Sequence, residues 1–283
     1  MAADILIEKD VVYARVRGYW TSAPVGERGT VLKLIPKSFR KRPLDLTMDI
    51  YKPAGESSGR RPLLLMMHGG SFYIGNKEEA GQAEWCKYFA SLGYVAASVN
   101  YRLGFLPFKC AVRKAMDRAR EDIDAALDYL LGREDLNPDP ERIYAAGTSS
   151  GANLALGLAF HPQAAGRPRI RAVGNFWGFL GDLKVLDYAN TPILSYQSEN
   201  DPIVPYSKGY PFHARLGCLS FLMGLFSDKM YGTLAIYQRA RERGIVCEHH
   251  PCAETGHRLH IGKDGQFTPR FYEMRDAMAA FFK

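Results

Sequence analysis

Residues Arg142–Leu156 read RIYAAGTSSGANLAL, and the chain changes character in the middle of them. Ile143–Ala146 read as a short buried strand, and Gly151–Leu156 open a helix of small and aliphatic residues. Between them lies Gly147-Thr148-Ser149-Ser150-Gly151, a turn with almost no side-chain bulk. A serine at so tight a junction has two readings. It caps the helix, as serine does at many N-termini, or it is a nucleophile lifted above the end of a sheet. The rest of the chain decides between them.

Outward from this turn, strand and helix alternate. PLLLMMH (62–68) is apolar without alternation, as a strand covered on both faces of a mostly parallel sheet must be. LDLTMDIYKPAG (44–55) alternates Leu44, Leu46, Met48 and Ile50 with polar neighbours and stops at Pro-Ala-Gly, which predicts a half-exposed strand at a sheet edge. Residues 10–36 hold β-rich pieces, VVYARVRGYW and TVLKLI, around a turn. A helix is expected over 79–92, a strand over 95–102, and a long helix over 111–132 with Met116, Ala119, Ile123, Leu127 and Leu130 on one face. After the opening turn come a helix over 150–160, strands over 170–176 and 192–197, a helix near 230–243, a strand over 245–250 and a last helix near 268–282. One α/β domain with helices on both faces of the sheet accounts for the pattern. Only the stretch from about 203 to 230 breaks the rhythm. It is long for a connection within such a unit and carries Phe212, Leu216, Leu219, Phe221, Leu222, Met223, Leu225 and Phe226. It reads either as a short element docked on the body or as a lid or pocket wall over the strand ends.

Composition narrows the function classes. The 283 residues are 47% hydrophobic and 24% charged, ordinary for a globular chain with a large core. The net charge of +7 gathers loosely at KSFRKR (37–42) and VRKAMDRAR (112–120). Aromatics do not alternate with these basic residues as on a base-stacking surface, so no nucleic-acid partner is expected. They read as a solvated positive surface, with attraction for acidic ligands or polyanions as the lesser alternative. Five cysteines without paired spacing imply no disulfide framework, and Cys247-Glu-His-His-Pro-Cys252 lacks the second half that a metal site needs. No apolar run approaches the length of a membrane span. The N-terminus MAADILIEKD is not built as a signal peptide, so the expectation is a cytoplasmic protein, or an exported one from which a signal has been removed.

A serine at neutral pH needs a base, an orienter for that base and donors for the oxyanion. Gly147–Gly151 fits G-x-S-x-G with Ser149 at its centre, in the strand-turn-helix setting which that motif requires. His68-Gly69-Gly70-Ser71 follows the apolar strand, and its backbone amides are free of side chains that would block an oxyanion. His68 reads as a brace for that loop. The acid and base must follow in the order Ser, Asp or Glu, His. Asp201, just past the strand PILSYQ, is the acid candidate ahead of Asp182 and Glu199. His257 in ETGHRLH is the base candidate ahead of His260, while His249 and His250 read as strand residues.

The stretches LLLMMHGGSFYIGNK, VAASVNYRLG, EDIDAALDYL, RIYAAGTSSGANLAL, SENDPIVP and TGHRLH, in this order, resemble the α/β-hydrolase family. The likeness is to its esterase/lipase branch with HGG-type oxyanion loops, which includes hormone-sensitive-lipase-like carboxylesterases and bacterial carbohydrate esterases. It runs over nearly the whole chain from about residue 44. The resemblance implies an α/β-hydrolase fold, with a mostly parallel central sheet, antiparallel N-terminal strands and helices on both faces. It implies Ser149 as nucleophile, His257 as base and Asp201 as orienter, with amides of Gly69, Gly70 or Ser71 and of Ser150 around the oxyanion. The branch usually has a third glycine where this chain has Ser71, and a cap insertion before the acid strand, where this chain has only a short loop. Phe72, Phe221 and Phe226 are the candidate walls of the substrate pocket. The activity implied is hydrolysis of a small-molecule ester, short-chain or carbohydrate-linked, without metal or other cofactor. An amide-cleaving relative such as a formamidase, or an inactive binding protein on the same scaffold, are the alternatives; the second is disfavoured because every catalytic element is retained.

Overall fold

A computed structural model describes residues 4–25, 30–55, 59–106, 109–160, 168–212 and 223–283. Its strands are β1 (Ile5–Gly18), β2 (Arg42–Pro53), β3 (Arg61–Met67), β4 (Val95–Val99), β5 (Pro138–Thr148), β6 (Ile170–Phe176), β7 (Ile193–Ser198), β8 (Lys208–Gly209), β9 (Met230–Tyr231) and β10 (Cys247–Cys252). Its α-helices are α1 (Thr30–Leu34), α2 (Ala80–Ser91), α3 (Lys109–Leu131), α4 (Ser150–Phe160), α5 (Thr233–Glu242) and α6 (Pro269–Phe281).

Eight strands form one sheet in the order β1-β2-β4-β3-β5-β6-β7-β10, and β8 pairs with β9 in a small ribbon. The β1–β2 and β2–β4 pairs are antiparallel, and every pair from β4 to β10 is parallel. This is the mostly parallel sheet with antiparallel N-terminal strands that the sequence leads one to expect. The unbroken apolar run of β3 serves two cores. Leu63, Leu65 and Met67 pack with residues of α3, α4 and α5 on one face. Leu64 and Met66 pack with Trp85 and Phe89 of α2 and with Phe271, Met274 and Met278 of α6 on the other. Covering both faces is what removes polar alternation from such a strand.

Three expectations need correction. The strand over 44–55 is not at the edge: β1 covers it, and Met48–Tyr51 are all buried. TVLKLI is not a strand, because Thr30–Leu34 is helical and Ile35–Phe39 continues as a 3₁₀ turn. Here Thr30, Leu34 and Ser38 recur every four residues on the inward side, a helical spacing that outweighs the strand propensity of the flanking Val31 and Ile35. Leu225 and Phe226, expected to need burial, remain 69% and 44% exposed.

The contact that fixes the opening turn is between backbones. A Cβ on Gly151 would lie 2.1 Å from the Met67 carbonyl oxygen and 2.5 Å from that of His68. A Cβ on Gly147 would lie 2.5 Å from the Gly151 carbonyl oxygen. The start of α4 therefore presses directly on the end of β3, and neither glycine leaves room for a side chain. The loop after β3 is tethered separately. The buried Lys77 ammonium lies 2.7 Å from the buried Asp49 carboxylate of β2 and 2.9 Å from Asp10. Burial by itself would lower its pKa, but the hydrogen bonds to those carboxylates and the charges of Asp49 and Glu78 together outweigh burial and raise it.

Replacing Gly151 by alanine should cost about 3 kcal/mol of stability, the upper range for forcing atoms into a packed site. Gly157→Ala in the same helix, where the new methyl meets only the Arg120 side chain at 3.7 Å, should be neutral or stabilising. Urea unfolding of the two variants beside the parent checks the contrast.

Candidate active site

Parallel strands send their following loops to one end of the sheet, and the candidate residues lie there. The loop after β3 carries Gly69, Gly70 and Ser71, and the turn after β5 carries Ser149. Asp201 follows β7 and His257 follows β10. Residues far apart in sequence thus meet because their strands are parallel neighbours.

Ser149 has φ 52°, a left-handed conformation that costs a non-glycine residue energy and is kept only when its surroundings impose it. Its amide donates to the Phe176 carbonyl at 2.9 Å, and its carbonyl accepts from the Asn153 amide at 3.1 Å, beginning the ladder of α4. The hydroxyl is used elsewhere: Ser149 Oγ lies 2.9 Å from His257 Nε2. The side chain thus faces the histidine.

On its other side, His257 Nδ1 lies 2.8 Å and 3.0 Å from the two carboxylate oxygens of Asp201. An ionised carboxylate only accepts, so the proton between them sits on Nδ1 and leaves Nε2 free to accept from the serine hydroxyl. The Asp201 carboxylate is fully buried and well supplied with donors. The amides of Ile203 and Val204 donate to Oδ1 at 2.8 Å and 3.1 Å, and Gln197 Nε2 donates to Oδ2 at 3.2 Å. Gln197 is itself fixed. Its Nε2 also donates to the Val204 carbonyl, and its Oε1 accepts from both the amide and the hydroxyl of Thr233. The sequence reading missed Gln197 and Thr233; a glutamine inside an otherwise buried strand, four residues before the acid, was the available signal.

The rivals are placed elsewhere. Asp182 caps the 3₁₀ turn Leu183–Asp187 by accepting from the Lys184 amide, and Glu199 is exposed. His260 is buried and stacked against Trp177 and Trp85, and burial pushes its pKa down to about 3. His249 and His250 lie in β10. His68 braces the loop: its Nδ1 is 2.7 Å from the Gly69 carbonyl oxygen, its ring stacks on Tyr101, and burial lowers its pKa to about 4.

The glycine loop packs against the serine turn. A Cβ on Gly69 would lie 3.3 Å from Ser149 Cβ. Gly70, Ser71 and Phe72 are all left-handed, with φ of 112°, 56° and 59°, and the Gly70 carbonyl accepts from the amides of both Tyr73 and Ile74. Ser150 is the first residue of α4, where a helix has amides without intrahelical acceptors.

Two cavities meet at Ser149. One, of about 810 Å³, is lined by Ser71, Phe72, Phe179, Phe212 and Phe226 among others. The other, of about 600 Å³, is lined by Gly69, Trp177, His257, Val31 and Ile35 among others. Phe72 and Phe226 thus line a cavity beside Ser149, and Phe221 falls outside the described residues. Trp177, left-handed at φ 44° and edge-on to the His257 ring at 6.3 Å, was not anticipated. Glu79 also lines the second cavity, with one carboxylate oxygen buried and unpartnered; burial raises its pKa to about 7. Among the described residues no cluster of three or more His, Cys, Asp or Glu side chains could hold a metal ion.

Comparisons with known proteins agree with this architecture. Residues 48–166 match the family model BD-FAE, an α/β-hydrolase esterase family. Gut esterase 1 of Caenorhabditis elegans is 32% identical over 120 residues, covering 41% of this chain and 21% of that protein. The non-reducing polyketide synthase prhL of Penicillium brasilianum is 33% identical over 144 residues, covering 49% of this chain and 6% of that protein. The chain therefore spans only a small part of the curated relatives it matches. Among solved structures, esterase 2 of Thermogutta terrifontis phosphorylated by paraoxon superposes with a TM-score of 0.62 at 19% identity, covering 84% of this chain and 88% of that one. The same esterase with propionate bound gives 0.60 at 19% identity, covering 84% and 89%. With a central segment that matches a family of esterases and a fold shared over 84% of its length with a bacterial esterase, this chain has the α/β-hydrolase fold.

Proposed function

We propose that the chain is a serine carboxylic-ester hydrolase acting through an acyl-enzyme on short-chain or carbohydrate-linked esters. The observation that carries this reading is the continuous hydrogen-bonded relay from Ser149 Oγ through His257 to the buried Asp201. Ser149 Oγ attacks the ester carbonyl while His257 Nε2 takes its proton. Asp201 holds the ring in the required tautomer and stabilises the imidazolium that forms. The carbonyl oxygen gains negative charge and is received by backbone amides of the Gly69–Ser71 loop and of Ser150. Collapse of the tetrahedral intermediate breaks the C–O bond to the alcohol, which leaves with the proton from His257. Water then repeats the sequence in reverse roles: His257 takes its proton, the oxygen adds to the acyl carbon, and the acid is released with Ser149 reprotonated. The two cavities that share Ser149 in their lining offer room for acyl and alcohol groups. The propionate bound by the Thermogutta esterase supports the short-chain part of the reading.

Turnover of an activated acetate ester tests the assignment. On the scale of other serine hydrolases, Ser149→Ala should lower kcat about 10⁶-fold and Asp201→Asn about 10⁴-fold. Asp182→Asn should leave it nearly unchanged. Activity retained by Ser149→Ala, or the reverse ranking of the two aspartates, overturns the proposed roles. Gln197→Met removes a donor to the Asp201 carboxylate, worth about 1.5 kcal/mol, and should lower kcat roughly tenfold with KM little changed. Phe226 walls the larger cavity but is partly exposed. Phe226→Ala should therefore cost long or aromatic esters about 1 kcal/mol in kcat/KM, the low end of a pocket contact, and leave acetate esters nearly unaffected.

A further inference from the structure

The segment Thr30–Arg42 reads TVLKLIPKSFRKR, with five basic residues and no acid. Its helical turns bury Thr30, Leu34 and Ser38, and the Ser38 hydroxyl lies 2.9 Å from that of Tyr73. This anchors one face and turns the other outward. The outward side exposes apolar residues among lysines and an arginine: Val31 is 49% exposed, Ile35 41%, and Leu32 and Phe39 72% each, with Lys33, Lys37 and Arg40 exposed between and beside them. Beside it lies a surface basin of about 520 Å³ lined by Arg17, Tyr19, Lys37, Arg40, Lys41, Arg42 and Pro43, with no carboxylate in its lining. The Lys41 ammonium sits over the Tyr19 ring at 5.7 Å. Its pKa is lowered by burial and by the surrounding charges of Arg118, Arg102, Lys114 and Arg17. Water solvates the cations well but leaves the leucine and phenylalanine at a cost.

We propose that this face docks on an anionic lipid surface, with Leu32 and Phe39 entering the headgroup–acyl boundary and the basin residues binding headgroup phosphates or carboxylates. A lipid surface presents anions and hydrocarbon side by side, matching both halves of the patch. Nucleic acid supplies the charge but no hydrocarbon. A two-fold related second copy would bring the basic basin up against its own like charge. Val31 and Ile35 also line the cavity that holds Ser149 and His257, so docking sets a rim of that cavity against the bilayer. The delivery of amphiphilic esters that follows from this rests on the hydrolase reading; the docking does not.

The test is co-sedimentation of the full chain with vesicles of phosphatidylcholine alone and of phosphatidylcholine with phosphatidylserine, at low and raised salt. Circular dichroism and Tm confirm the fold of each variant independently of activity. Binding is expected to the mixed vesicles only, and to weaken as salt screens the charges. The double variants Lys37→Glu/Arg40→Glu and Leu32→Ser/Phe39→Ser, if folded, should each partition at least about tenfold less. Should one fail to fold, Lys37→Gln/Arg40→Gln or Leu32→Ala/Phe39→Ala takes its place with the same expected direction. Absence of binding, equal binding to neutral vesicles, or binding unchanged in both folded variants overturns the proposal. Equal affinity for duplex DNA that the Leu32→Ser/Phe39→Ser variant retains overturns it in favour of polyanions. A dimer in sedimentation velocity that the same variant dissolves overturns it in favour of a second copy.

Discussion

The backbone of Gly151 lies against the carbonyls of Met67 and His68, and the candidate site is built outward from that contact. Because no side chain separates α4 from the end of β3, the turn between β5 and α4 must be sharp, and Ser149 takes up the left-handed conformation that such sharpness demands. The same closeness sets Gly69 beside Ser149, so the serine turn itself helps to place the loop that supplies the proposed oxyanion donors. One steric constraint thus raises the hydroxyl, starts the helix and brings in the glycine loop. Such strain at a single residue persists where the surrounding packing over-determines it.

The acid side of the site is held by hydrogen bonding more than by packing. Asp201 accepts from two amides, from Gln197 and from His257, and Gln197 is locked in turn by Val204 and Thr233. A fully buried carboxylate with this many donors is held in one orientation. The network also joins the start of α5 to the end of β7 and so ties the outer strands of the sheet to the site. Thr233 spends its single proton on the Gln197 carbonyl, and His249 Nε2, 3.2 Å from the same hydroxyl, is therefore the donor to it. That gives His249 a structural place and removes it from the chemistry.

Local patterns in the sequence determine structure where a single strand or turn suffices. The two-faced burial of β3 follows from seven consecutive positions, and the serine turn from two glycines at fixed spacing. That Ser149, Asp201 and His257 meet at one end of the sheet was legible because parallel strands place their trailing loops there, so position after a strand was enough to nominate each. What escaped notice depends on tertiary neighbours. β2 read as an edge strand because its alternation says nothing of β1, which pairs beyond it. Gln197, Thr233 and Trp177 carry no motif; each matters through a partner distant in sequence. TVLKLI was misread because its helical turn is anchored by Leu34 and Ser38 against the body, a contact invisible to local propensity. That same anchoring explains why its apolar residues face outward beside KSFRKR, a cluster that sequence alone placed in solvent.

If Ser149 alone is the activated nucleophile, covalent mapping will find it. The native chain would be treated with paraoxon or a fluorophosphonate, digested, and the modified peptide sequenced by mass spectrometry. One adduct per chain is expected, on Ser149, formed far more slowly once His257 is replaced by alanine. An adduct on Ser150 or Ser71, or labelling at Ser149 that proceeds equally fast without His257, would contradict it.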